Sequence, residues 1–421
     1  MRSIFCTIVF FSLFQAWGQT NGVVTNSTNS NVAEPAEEEI FEFQQDSTTL
    51  DLEGVGKTRS IDRKEKKAEK ESSKVAMPEA PAAKSDSYGY SSEPVPAPQS
   101  PQMTQEYQSN TSSFQLSKKM SSTQRTQRSP SVEQQNEMNE AVGYFETNAP
   151  NSFEYHYFKY VSGNYNVELI DHLQNAEALR PNNSDVQLQK AAYHIIMNEP
   201  LKALLYIQKL KASQRLPQSV VDYSSDIVRS TPENGTLITH GFDDTYGVWT
   251  AQNELGIRTD VTLVSLDFLQ SQQYRDNLTK AGFKLPTDTV IDVDYLVNFC
   301  VLNSERNLSI SMTTPKEYLI PLQDKLYVAG LVFEYHTETI DNFYRNEYLW
   351  ENQLSKVVIE STTDEKSRQL SANYLPMLLQ LRKVYHQTGE EEKLQEIDKV
   401  TDKVGVQCRK YEQVQKLKGA Y

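Results

Sequence analysis

Residues 237–269 read LITHGFDDTYGVWTAQNELGIRTDVTLVSLDFL. The run Thr236-Leu237-Ile238-Thr239 is short, apolar and β-branched, which predicts a buried strand. Gly241-Phe242-Asp243-Asp244 punctuates it. Residues 245–255 (TYGVWTAQNEL) predict a helix closed by Gly256 as a C-cap. Val261 to Leu266 (VTLVSL) predicts a second strand. Strand, helix and strand within about 30 residues make a βαβ unit, which implies a parallel strand pair and a right-handed crossover. The expected class is therefore α/β, with a Rossmann-like βαβ domain over 216–345. Further strands are expected at 308–313 (LSISMT) and 326–335 (LYVAGLVFEY).

The flanks carry helical spacing. Between 131 and 215, Val167, Ile170, Leu173 and Ala176–Leu179 mark one helix, ended by Arg180-Pro181-Asn182-Asn183. Leu188, Ala191–Ala192 and Ile195–Ile196 mark the next, broken at Asn198-Glu199-Pro200, and Leu201, Leu204, Leu205, Ile207 and Leu210 mark a third. Helical hairpins repeating at roughly 34 residues resemble the tetratricopeptide period. Two such units fall short of the three or so that an independent array needs, so they are expected to lean on the next domain. Residues 346–421 return to helices: Tyr374, Leu378, Leu381 and Val384–Tyr385 share a face, Thr388-Gly389-Glu390 turns the chain, and Leu394, Ile397 and Val400 come after it.

The N-terminus reads differently. Arg2, the apolar run from Ile4 to Phe14, and Ala16-Trp17-Gly18 compose a secretory signal over 1–18, cleaved before Gln19. Residues 19–130 are rich in Ser, Gln, Pro, Glu and Lys and poor in aromatics, which predicts a long disordered tether. No later run reaches the 18 or so apolar residues a span needs, so no transmembrane segment is expected in the mature chain. The 421 residues carry 42 basic and 56 acidic side chains, a net of −14, of which −12 falls after residue 130. A body that acidic argues against nucleic acid or anionic lipid as partner. Cys300 and Cys408 form no disulfide framework. The six histidines are scattered singly, and His156 and His172 are too far apart to be ligands on one helical turn.

Asp243 and Asp244 follow a strand's C-terminal end and open a helix, where open α/β sheets bind ligands. Paired carboxylates there can hold a cation or share a proton. The competing reading is that one caps the helix and the other sits against its dipole. Arg258 and Asp260 flank the turn into the second strand and are expected to pair. Tyr246 and Trp249, three apart, are expected in the core. Asp243, Asp244, Thr245 and Arg258 are the candidate ligand-binding residues. No catalytic residue, metal or cofactor is assigned: the sequence has no Gly-rich phosphate loop, nucleophile elbow or zinc-protease motif. Asp46-Ser47-Thr48 and Asp288-Thr289-Val290 fit a short O-glycosylation pattern of Bacteroidetes.

Gly241, Asp244, Thr245, Tyr246, Trp249, Gln252, Gly256, Ile257, Arg258, Asp260 and Val261 together resemble the soluble C-terminal module of Bacteroidetes membrane proteins of protein O-mannosyltransferase type. The resemblance resumes at 326–333 (LYVAGLVF) and in 373–397, covering about 185 residues in three ordered blocks. Phe242, Asp243 and Gly247 depart from the family's pattern. The multi-span transferase part is absent, so the resemblance implies a soluble α/β-plus-helical module on the periplasmic side, without transferase activity. The expected function is an exported, non-enzymatic envelope protein that binds protein partners, accessory to a membrane or glycosylation-related assembly. The alternative is a small-ligand- or metal-binding α/β domain using the strand-end Asp pair.

Overall fold

The computed structural model describes residues 101–361 and 364–419. Residues 1–100, with the expected signal sequence and Asp46-Ser47-Thr48, lie outside the described residues. Tyr107 to Tyr421 belong to one compact unit; of the unit Thr49–Glu106, the described residues are 101–106, which begin the first helix.

The expected tether runs too far. Residues 101–130 contain a 23-residue helix, α1 (Pro101–Thr123). It has almost no apolar stripe, which is why composition hid it. Two aromatics two turns apart seat it: Phe114 stacks on Phe158 at 3.9 Å, and Tyr107 meets Phe145 edge-on at 4.9 Å. Residues 124–129 then run beside 291–293, with a bridge between Gln127 and Asp292 and a hydrogen bond from Arg128 N to Ile291 O of 2.6 Å.

Six helices come next: α2 (Val132–Asn148), α3 (Phe153–Ser162), α4 (Ile170–Leu179), α5 (Ser184–Ile196), α6 (Pro200–Ala212) and α7 (Gln218–Ser230). Their ends fall where the sequence chemistry puts them. Ser131 and Gln134 form a capping box on α2, Ser152 caps α3, Asn183 caps α5, and Pro200 occupies the first turn of α6. The buried side chains of α2–α4, with Phe114 and Val186, form one cluster; those from Ala191 onward join a second that runs through the sheet to Val414. The helical pairs do lean on the sheet-containing region, through the apolar faces of α5 and α6.

The expected strand–helix–strand unit is present as β1 (Thr236–Thr239), α8 (Gly241–Asn253) and β2 (Thr262–Ser265), with β1 and β2 parallel and Thr239 opposite Ser265. Helix α8 starts four residues earlier than expected. Two helices that the sequence did not announce, α9 (Gln272–Lys280) and α10 (Val293–Leu302), lead to β3 (Leu308–Ser311), which pairs parallel to β1. The 326–335 run is not one strand. It folds at Gly330-Leu331 into the hairpin β4 (Leu326–Ala329) and β5 (Val332–Tyr335). Gly330 has φ +59°, and a Cβ there would lie 2.2 Å from Ser230 Oγ, so only glycine fits. The sheet order is β2-β1-β3-β5-β4, parallel across the first three strands and antiparallel across the rest. The described residues are thus mostly helical around a small five-stranded mixed sheet, with helices flanking the sheet on both sides in the chain as expected.

Helix α8 packs on α7 through Gly247, where an added Cβ would sit 2.1 Å from Ser224 Oγ. Trp249 and Tyr246 are buried in the core as expected. The C-terminal part holds α11 (Phe343–Tyr348), α12 (Leu375–Thr388), α13 (Glu391–Gln407) and α14 (Tyr411–Gly419), with Gly389 at φ +73° turning α12 into α13. Cys300 and Cys408 are both free thiols. Among the described residues no helix is long and apolar enough to cross a membrane.

Candidate functional site

Strands β1, β2 and β3 run the same way, so Thr239–His240, Ser265–Asp267 and Ser311–Thr313 share one edge of the sheet. β1 lies between the other two, and the chain reaches β3 only after passing through α9 and α10. The β1/β3 gap is where strand order reverses, the position at which open parallel sheets leave a crevice. Helix α8 opens there and brings Asp243, Asp244 and Thr245 with it.

None of the three caps α8. The residue at the cap position is His240, whose side chain makes no capping bond, and both aspartates fall inside the first turn. Asp243 pairs with Lys366, from the short helix Glu365–Ser371. Asp244 is buried and accepts a hydrogen bond from Thr313 Oγ1, beyond the end of β3. Thr245 belongs to a buried hydroxyl chain: Thr239 Oγ1 to Thr245 Oγ1 at 2.9 Å, and Thr245 Oγ1 to Ser265 Oγ at 3.1 Å. That chain ties β1 and β2 to α8 and is fully buried.

Arg258 is elsewhere. It precedes β2, at the opposite edge of the sheet, with φ +48°. Its guanidinium binds both oxygens of Asp260 at 2.8 Å and donates to the carbonyls of Thr231 at 2.8 Å and Pro232 at 2.9 Å. Asp260 in turn accepts from Asn234 N at 2.8 Å. The Arg258 hydrogen bonds hold the Asp260 carboxyl well below the usual range. The expected Arg258–Asp260 pair is real and fixes the turns entering β1 and β2. A shared ligand with Asp243 and Asp244 is ruled out by a full strand length.

The sequence reading missed the residue that anchors α8. Asp267, just past β2, accepts the Gly241 N–H at 2.7 Å through one oxygen and the Arg128 guanidinium at 2.5 and 2.9 Å through the other. Both side chains are about nine-tenths buried, at 9% and 11% exposure. Burial pushes the Asp267 carboxyl up, but Arg128, His240 and the Gly241 N–H together outweigh it and hold it below the usual range. Around this pair stand His240, whose imidazole is pushed down to about 3 by burial and then by Arg128, and half-buried Lys118, whose amine is pushed down to about 8 for the same two reasons. Tyr318 stacks edge-on to His240 at 5.7 Å; its hydroxyl and the His240 Nε2 are buried with no hydrogen-bond partner among the described residues. The only signal in the sequence was an aspartate directly after a buried strand, in Leu266-Asp267-Phe268.

A family model described as TMEM260-associated domain 2 matches residues 220–288. The matched span begins inside α7 and runs past α9. It contains Asp243, Asp244, Thr245, Arg258 and Asp267, but neither Arg128 nor Lys366. This part of the chain fits a TMEM260-like, O-mannosyltransferase-associated module. No curated protein and no solved structure matches the chain significantly. Among the described residues, no group of three or more His, Cys, Asp or Glu side chains is placed to hold a metal ion.

Asp244 gives a pH signature. Burial raises its carboxyl to about 6, against the hydrogen bonds from Ser311 and Thr313, and Asp243 adds to the rise. A carboxyl whose folded pKa exceeds its unfolded value near 3.8 penalises the folded state once ionised. The penalty is absent below about pH 4, grows toward pH 6 and is complete above it, on the order of 2–3 kcal/mol. Asp244→Asn keeps an acceptor for Thr313 and never ionises. Thermal melts of wild type and variant are expected to coincide near pH 4 and to separate above pH 6, the variant melting higher. A separation that does not change with pH would refute the assignment.

Proposed function

We propose that this chain is an exported, non-enzymatic envelope protein that acts as a protein-interaction module, accessory to a membrane or glycosylation-related assembly. The observation that carries the reading is the use made of the strand-end crevice. Asp267 is committed to Arg128 and Gly241, Asp243 to Lys366, and Asp244 to Thr313. Side chains from before α2 and after α11 fill the place where a Rossmann-like sheet would take a small ligand. The likeness of residues 220–288 to an O-mannosyltransferase-associated domain supports a glycosylation-related setting.

The partner surface in this reading is the tetratricopeptide-like array α3–α6. Stacked helical pairs present a continuous face to a protein. On α6, Leu201 and Leu205 stand one turn apart and are 81% and 60% exposed, an apolar pair on an otherwise polar helix face. The test is crosslinking and capture from membranes with the full chain as bait. A Leu201→Glu/Leu205→Glu double variant is expected to lose most of the captured partner, while Asp244→Asn retains it. Equal capture by both variants would count against this surface.

A second reading, a small-ligand- or metal-binding domain using the strand-end Asp pair, draws on the Tyr318 hydroxyl and His240 Nε2 beside Arg128 and Asp267, buried without a hydrogen-bond partner among the described residues. In thermal melts, a melting temperature raised by Mg²⁺ or Ca²⁺ in wild type but not in Asp243→Asn/Asp244→Asn would favour it.

A further inference from the structure

His156 on α3 and His172 on α4, distant in sequence, meet in space. The chain turns back between them through Gly163, Asn164 and Tyr165, the last two with φ of +49° and +63°. The two Nδ1 atoms face each other at 3.1 Å, with ring centroids 5.2 Å apart and planes inclined at 46°. Tyr155 holds the arrangement from one side. Its ring stands edge-on to His172 at 5.3 Å, and its hydroxyl donates to Glu146 Oε1 at 3.2 Å. Both imidazoles are only partly buried, so a solute reaches them from solvent.

Two imidazole nitrogens at this separation cannot both carry a proton on the facing side. Either one Nδ1–H donates to the other, or both protons sit on Nε2 and two Nδ1 lone pairs face the same gap. The second state offers two nitrogen donors to a cation. Both rings are held below the ordinary histidine value, chiefly by burial, with His172 acting on His156 and Lys159 on His172. Both are therefore neutral at neutral pH and available as ligands. The charges facing His172 are Lys159 on one side and Glu146 and Asp171 on the other, a balance that tolerates an added cation.

The spacing is also compatible with a late first-row ion. Metal–nitrogen bonds of about 2.05 Å to two atoms 3.1 Å apart enclose an angle of about 98°. That is nearer the 90° or so of tetragonal coordination than the 109° or so of a tetrahedron, and tetragonal nitrogen sites suit Cu(II) and Ni(II). Among divalent first-row ions Cu(II) also binds such ligands most tightly. Glu146 and Lys159, whose charges act on His172, also line a neighbouring cleft of about 280 Å³ that neither imidazole lines. We infer that His156 and His172 form a two-imidazole binding site for a late first-row divalent ion, Cu(II) foremost, with its remaining positions open.

The test is titration of the full chain with Cu(II) at about pH 7.5, where both imidazoles are neutral, read by visible absorption and electron paramagnetic resonance. One equivalent is expected to bind with a tetragonal spectrum showing coupling to two nitrogens, and Ni(II) and Zn(II) are expected to compete more weakly. His156→Gln and His172→Gln are each expected to lower affinity at least tenfold, while His336→Gln, remote from the pair, changes nothing. Both histidines are partly exposed, so circular dichroism melts near wild type would show that lost binding is not lost folding. Binding that survives in the His156→Gln/His172→Gln double variant, or no binding above that variant's level, would overturn the inference.

Discussion

Asp267→Ala is expected to lower stability by about 3–5 kcal/mol, the cost of leaving one partner of a buried ion pair unmatched. The alanine strands two groups at once: the Arg128 guanidinium, 9% exposed, and the Gly241 N–H at the start of α8. Arg128→Met is also expected to destabilise, because it leaves Asp267 charged and buried. The combination Arg128→Met/Asp267→Asn removes both charges and is expected to cost less than the sum of the single changes. A double-mutant cycle by urea unfolding reads this directly; additive effects would mean that the pair is not coupled. The acid limb comes from the same contact. The Asp267 carboxyl is held below its ordinary range, so its contribution is present above about pH 4 and is lost as pH falls through the lowered value.

Asp226→Ala is expected to cost a comparable 3–5 kcal/mol or so, for a different reason. Asp226, on α7, is fully buried and accepts four hydrogen bonds, two at each oxygen. Arg229 donates at 3.1 Å and Ser355 N at 2.7 Å to one; Lys356 N at 3.0 Å and Tyr374 Oη at 2.8 Å donate to the other. The carboxylate thus holds Lys356 in its left-handed conformation, φ +58°, and joins α7 to the start of α12. Asparagine matches the shape but turns an NH₂ toward two donors, so Asp226→Asn is expected to rescue only part of the loss. Urea unfolding of the three proteins checks the order, and a wild-type-like Asp226→Asn would contradict the four-donor account.

What could be read from sequence was local. β1 and β2 are runs of β-branched and apolar residues, and the breaks around Pro181 and Pro200 set helix ends by backbone geometry alone. The Arg258–Asp260 pair spans two residues and was legible for that reason. What could not be read depends on residues brought from far away. Asp243 and Asp244 suggested caps because Lys366 and Thr313 lie 123 and 69 positions away from the side chains they engage. α1 hid in a polar tract because two aromatics seat it. The fold of 326–335 did leave a trace: Gly330 interrupts an apolar run, and glycine inside a strand pattern marks a turn or a close approach. His156 and His172 meet only because the turn at 163–165 doubles the chain back.

The Arg128–Asp267 contact joins residues 139 positions apart, and the bridge from Gln127 to Asp292 spans still more. Helices α2 to α4, by contrast, pack on neighbours in the chain. Those helical pairs have their partners close by in the chain, whereas residues 124–129 need Asp267 and 291–293, from the second half. Loops of that length close slowly, and contacts made after the folding barrier act on escape from the native state rather than on arrival. Breaking the seam between 124–129 and the sheet edge is therefore expected to speed unfolding in urea more than it slows refolding.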